Sequence, residues 1–266
     1  MFRRILLALA IPILLCSLAS AQSVDDLIAK NNKARGGLDK LKAAKTLKIT
    51  AKMFMQGMEA PATLMFKRPG KVRIEFTLQG MTGIQAYDGT TAWMIMPFMG
   101  KTEAEKMTAE DAKDVEEQSD FDGPLVDYKD KGHKVELVGK EDMEGTPVYK
   151  IRVTLKSGDI RDIYIDGENF LEVKESSKRK TQGAEIEIDT YMSDYKDVGG
   201  LMLPHAMESK VKDQTVSQIT ISKIDLNGDL PDSLFKMPAK ADSTAKAPAK
   251  ADAATMPEAK PDSTKK

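Results

Sequence analysis

Two methionine runs share one spacing, Met53-x-Met55-x-x-Met58 and Met94-x-Met96-x-x-Met99. Thioethers are soft ligands suited to Cu(I), and an i, i+2 pair puts both sulfurs on one face of a strand. Yet neither run has a cysteine or histidine nearby, and apolar residues flank both. Methionine has three rotatable bonds and a polarizable sulfur, so the same residues suit an adaptable apolar surface. Eight of the sixteen methionines fall between Met53 and Met99, which favours a surface that binds something greasy over a metal site.

Little else in the chain points to catalysis. The two histidines, His133 and His205, lie in no H-E-x-x-H arrangement, and there is no G-x-S-x-G elbow. The one cysteine, Cys16, falls in an apolar leader. Carboxylates are many but scattered among lysines, as on solvated strands. No catalytic residue, metal site or cofactor is assigned, and the expectation is a non-enzymatic binder.

The ends of the chain read as address and tail. Arg3 and Arg4, the apolar run 5–18 and Ala19-Ser20-Ala21 have the layout of a cleaved export signal covering residues 1–21. Leu15 precedes Cys16, whereas a lipidated cysteine usually follows a small residue, so cleavage after Ala21 is preferred. The mature chain then holds no disulfide and no thiol nucleophile. A periplasmic location follows. Residues 239–266 are nearly all Ala, Lys, Pro, Asp, Ser and Thr. Such a segment cannot bury enough surface to offset its ordering entropy. Residues 22–238 remain as one domain with a sizeable core, mildly acidic and without a nucleic-acid footprint.

Within that domain the hydrophobic period changes. Val24, Leu27, Ile28, Ala34, Leu38 and Leu41 give a helical stripe, with Ser23 and Asp26 as a capping box. Gly36-Gly37 interrupts it, which predicts two short helices. A period of two follows: Leu47, Ile49, Ala51, Met53 and Met55, then Ala62, Leu64 and Phe66, then Val72, Ile74, Phe76 and Leu78. Such alternation marks antiparallel strands with one wet face. Pro69-Gly70 and Asp88-Gly89 read as turns. Residues 103–122 are rich in acids, and Thr108 with Asp111 predicts a cap for a ten-residue helix ending near Gln118, either a solvated surface helix or a flap over an opening. Strands resume from Val135 to Ile224. About ten or eleven strands are expected, mostly joined as hairpins in a sandwich or barrel.

Several landmarks then line up with a known family. They are Ala34-Arg35-Gly36-Gly37-Leu38-Asp39-Lys40-Leu41, Phe66-Lys67-Arg68-Pro69-Gly70, Tyr87-Asp88-Gly89-Thr90-Thr91-Ala92-Trp93, and Asp194 to Pro204 with Gly199-Gly200-Leu201 at its centre. In this order and spacing the chain resembles the LolA-like superfamily of periplasmic lipoprotein carriers. The resemblance implies a mainly β fold: an incomplete, strongly curved antiparallel β-barrel whose open side is covered by an α lid. It implies that the inner surface holds acyl chains, and that the arginine before the proline, here Arg68, links sheet to lid and gates it. The acidic segment 103–122 and the tail depart from the best-known carriers.

These readings set the expectations. Met53, Met55, Leu64, Phe66, Val72, Ile74 and Phe76 are candidate ligand-binding residues. Trp93 is either a core anchor or a residue at the pocket mouth, and it is counted among the candidates. The expected function is a periplasmic carrier that binds acylated lipoprotein or lipid for transfer toward the outer membrane. Its partners would be envelope membrane-protein donors and acceptors. An envelope-stress sensor or interaction module on the same fold is the alternative reading.

Overall fold

The computed structural model describes residues 23–55, 57–181 and 184–239. The proposed export signal 1–21 with Cys16, and all of the tail after Ala239, lie outside the described residues.

Helix α1 (Val24–Ala34) begins where the Ser23 hydroxyl accepts the Asp26 N–H at 3.0 Å. It stops at Gly36 and Gly37, which take φ values of +115° and +94° that L side chains avoid. Helix α2 (Leu38–Ala43) follows. Strands β1 (Thr46–Met55), β2 (Met58–Lys67), β3 (Lys71–Leu78), β4 (Met81–Tyr87), β5 (Ala92–Met96) and β6 (Lys101–Lys106) lead to helix α3 (Ala109–Gln118). Then come β7 (Lys134–Met143), β8 (Thr146–Thr154), β9 (Ile160–Asp166), β10 (Glu172–Thr181), β11 (Ala184–Ser193), β12 (Lys196–Val198), β13 (Leu201–Leu203), β14 (Ala206–Val211) and β15 (Gln214–Leu226).

Thirteen of these strands form one antiparallel sheet in the order β6-β5-β4-β3-β2-β1-β15-β14-β11-β10-β9-β8-β7, and β12 pairs with β13 apart from it. Fifteen strands among the described residues correct the expected ten or eleven. Strand β6 falls in the stretch set apart for its acids. Strands β12 and β13, of three residues each, are too short to show a period.

The sheet is open and strongly curved. Helix α3 packs on β3, β4 and β5, yet Glu117 on the same helix bonds Arg161 of β9. Strands β3 and β9 stand seven places apart in the sheet order. In a flat sheet that is roughly 34 Å, more than twice the ~15 Å length of a ten-residue helix. The two halves of the sheet must therefore curl toward each other.

Directly opposed residues of an antiparallel pair share a face, so the registers sort side chains into two surfaces. On the concave side α1 sets Leu27 and Ile28 against Tyr149, Ile151, Val153, Ile163 and Ile165, with Leu125 among them. Leu41 of α2 joins Val126 and Leu201 in a second cluster that Phe121 and Leu226 flank. On the convex side the chain after β15 returns across the sheet, and Leu230 and Phe235 pack with Met65. Gly36 lies against the carbonyl of Gly200, and Met202 N–H bonds Arg35 O at 3.1 Å. Two of the sequence landmarks thus meet in space.

Candidate functional site

The concave face continues beyond the cores that α1 and α2 fill. Cross-strand pairs place Leu47, Phe66, Val72 and Tyr87 in one row, Ile49, Leu64, Ile74, Gln85 and Met94 in the next, and Ala51, Ala62, Phe76 and Gly83 in a third. A further row holds Met192, Met207, Ile219, Met53 and Ala60. Many of these side chains, including Ile49, Met53, Leu64, Ile74, Phe76, Met192, Met207 and Ile219, are only partly buried. An apolar sheet face left partly open is what a mobile hydrocarbon ligand would cover. Gly83 is buried here because Phe76 and Phe98 close over it, with their rings 5.6 Å apart.

Arg68 stands at the edge of this face, joined to Pro69 by a cis peptide bond. Its Nη1 and Nη2 both donate to Asp122 at 2.5 Å in an end-on fork. Nε and Nη2 also donate to the carbonyls of Ala44 and Leu41 at 2.8 and 3.0 Å. One guanidinium therefore ties β2 to the end of α2 and to the segment after α3. The Phe121 ring sits beneath it at 4.6 Å and touches Phe66 of the concave face, centroids 6.0 Å apart.

A cavity of about 860 Å³ opens between α3 with residues 118–124 and the β8–β9 turn. Most of its lining residues are charged or polar, with Phe121, Pro124 and Leu155 among them. Arg161 donates to Glu117 of α3 and to Glu175 of β10, Lys113 pairs with Asp159, and Lys131 pairs with Asp120 at 2.5 Å. His133 accepts the Lys156 N–H on Nδ1 at 3.0 Å, which leaves the ring proton on Nε2. Burial holds its pKa below the ordinary imidazole value, and Lys131 adds to the effect. The ring is neutral near pH 7 and presents a donor.

The structure thus brings Met53, Met55, Leu64, Phe66, Val72, Ile74 and Phe76 onto one surface, with Val72 fully buried. Trp93 does not join them. It opposes Ala86, which opposes Arg73, on the convex side. There it is 1 % exposed, and its Nε1–H donates to Phe235 O at 2.8 Å. It is a core anchor beneath the C-terminal segment and is removed from the candidate lining. The two methionine runs do not converge, since β3 and β4 separate β2 from β5 and Met99 is 68 % exposed. Arg161, Glu117 and Glu175 are absent from the sequence-based candidates. Glu117 and Arg161 lie 44 residues apart, and no local pattern joins them.

Among the described residues no helix is long and apolar enough to cross a membrane. No curated protein matches the chain. Among solved structures it is similar to a LolA superfamily protein from Nitrosomonas europaea, at 13 % identity and a TM-score of 0.54 over 80 % of this chain and 96 % of that one. It is equally similar, at 13 % identity and a TM-score of 0.54, to a domain described as an outer membrane lipoprotein-sorting protein from Vibrio parahaemolyticus, over 78 % of this chain and 94 % of that one. At these identities the likeness is one of fold. A family model described as "uncharacterized protein" matches residues 60–239, and the chain belongs to that family and carries the LolA-like fold.

Proposed function

We propose that this chain binds the acyl chains of a lipoprotein or lipid on its concave face and carries them through the periplasm toward the outer membrane. The observation that carries the reading is the set of rows of partly exposed apolar side chains on the concave face, from Met192, Met207, Ile219 and Met53 to Ile49, Leu64, Ile74 and Phe76. Each methylene moved from water onto such a surface contributes roughly 0.8 kcal/mol, so a two-chain ligand binds firmly without a charged contact. The resident methionines let the surface mould to chains of differing length.

The remaining features support the same reading. An export signal over residues 1–21 would deliver the chain to the periplasm. Arg68, held by Asp122 and the end of α2, would act as the clasp between sheet and cover. Donor and acceptor partners would be envelope membrane proteins. The activity in this reading is binding, and the charged groups of the cavity serve to hold its walls together: Arg161 with Glu117 and Glu175, Lys113 with Asp159, and Lys131 with Asp120. The similar Vibrio domain is described as lipoprotein-sorting, which agrees with this assignment.

Delipidated protein titrated with a fluorescent acyl probe tests the proposal. Saturable binding at one site per chain, and co-purifying lipid in native mass spectra, are the expected results. A linear, non-saturating signal together with lipid-free spectra of protein from its own envelope would refute it.

A further inference from the structure

One row of the concave face is rich in hydroxyls. Glu175 of β10 opposes Thr190 of β11, which opposes Ser209 of β14, which opposes Ser217 of β15, which opposes Met55 of β1. Thr190 Oγ1 and Ser209 Oγ share a hydrogen bond of 3.0 Å. Met192, Met207, Ile219 and Met53 form the next row on one side; on the other, Ile188 and Val211 alternate with the polar Ser177 and Gln214. At its β10 end Glu175 reaches the wall of the 860 Å³ cavity, where Arg161 Nη1 holds it at 2.7 Å.

Hydroxyls bordering a surface for bare hydrocarbon are a liability. A methylene chain laid over Thr190, Ser209 and Ser217 strips water from them and offers no hydrogen bond in return. Each hydroxyl has one donor and two acceptor sites, so the single Thr190–Ser209 bond leaves much of the row's capacity unused. The three hydroxyls, with Glu175, span roughly 14 Å across three strand spacings. That length matches a glycerol unit with its linkages better than a single carbonyl.

We propose that this row receives the carbonyl and glycerol oxygens of an ester-linked acyl lipid, so that the site selects such lipids over free or ether-linked alkyl chains. This deepens the acyl-binding reading and rests on it. The tails then run over the Met192–Met207–Ile219–Met53 row, and the head points toward the Arg161–Glu175 cavity.

The experiment compares two phosphatidylglycerols with identical chains, one diester and one diether, as competitors of a fluorescent acyl probe on the full delipidated chain. The diester is expected to displace the probe at a concentration at least about tenfold lower. A Thr190→Val/Ser209→Ala/Ser217→Ala variant is expected to bind the diether as well as or better than wild type and to lose the preference for the diester. Equal displacement by both lipids on the wild-type chain overturns the proposal without recourse to any variant, while leaving acyl binding intact. A variant that melts as wild type does and keeps the full preference also overturns it. If the wild-type chain binds neither lipid nor the probe, the acyl-binding reading itself falls.

Discussion

A Cβ placed on Gly36 would lie 2.2 Å from the carbonyl oxygen of Gly200. Backbone meets backbone there, so neither partner can swing aside, and Gly36 also sits at φ +115°. Its contact joins the α1–α2 break to the β12–β13 turn, and Met202 N–H bonding Arg35 O extends the seam. Gly36→Ala is expected to cost about 3 kcal/mol from strain and clash together. In a domain of this size that is a fall in Tm of roughly 6–12 °C, read by circular dichroism. Gly37 has nothing within 4 Å of its Cβ position, so Gly37→Ala carries only the cost of its φ and should fall less.

The Arg68–Asp122 fork is the second constraint on the cover. The Asp122 side chain is 7 % exposed and that of Arg68 28 %, so solvent screens the pair in part. Asp122→Ala leaves the guanidinium with only the Ala44 and Leu41 carbonyls, and a loss of about 2 kcal/mol is expected in urea unfolding. Arg68→Lys keeps the charge but cannot reproduce the fork. It should lose most of the same stability. If the fork is the clasp proposed above, both variants also release a bound acyl probe faster in stopped-flow chase experiments.

The legible part of this fold was the alternation. Strands β1 to β3 display one apolar and one polar face, and so did the cap of α3 at Thr108, whose hydroxyl accepts Asp111 N–H at 3.2 Å. The face of Trp93 was not legible, because Ala92-Trp93-Met94-Ile95-Met96 is apolar throughout and has no period to read. Its orientation is decided by Phe235, 142 residues away. The polar row and the Arg161 network were hidden for the same reason. Thr190, Ser209 and Ser217 look like ordinary strand residues one by one, and only the register of four strands lines them up.

The convex anchor gives a prediction independent of any ligand. Phe235 is fully buried against Met65 and Leu230, and its carbonyl holds Trp93. Phe235→Ala should cost about 3–5 kcal/mol. Because Trp93 is the chain's one tryptophan, its emission should shift to the red as the C-terminal segment loosens. Acyl binding, on the opposite face, should persist at temperatures where the variant is folded.

Stability should also depend on pH through Glu172. Burial holds its carboxyl above the usual range, Glu175 adds to this, and Arg35, 3.5 Å away, opposes it. A raised carboxyl favours the protonated folded state. Its contribution is therefore complete below about pH 4.5, the ordinary value, and is lost as pH rises through the folded value. Glu172→Gln is neutral at every pH. Its stability relative to wild type should grow from pH 4.5 upward and then level off, as urea midpoints at several pH values would show. A difference that shrinks with pH would contradict burial as the dominant cause.

The two faces of β1 offer the sharpest comparison for binding. Met53 and Phe54 are neighbours in sequence and point to opposite sides of the sheet. Met53 opposes Ile219 and Ala60 on the concave side, while Phe54 is 44 % exposed on the convex side. A charge at either position stays within reach of water, because neither side chain is fully buried, so both variants should fold. Met53→Glu places a carboxylate where hydrocarbon must lie, and desolvating it under an acyl chain costs several kcal/mol. Probe affinity should drop at least about a hundredfold. Phe54→Glu removes a larger apolar group yet leaves the concave face untouched, so its affinity should stay within about twofold of wild type. Simple loss of hydrophobicity predicts the larger effect at Phe54. A concave binding face predicts it at Met53, and equal losses at both positions would place the ligand elsewhere.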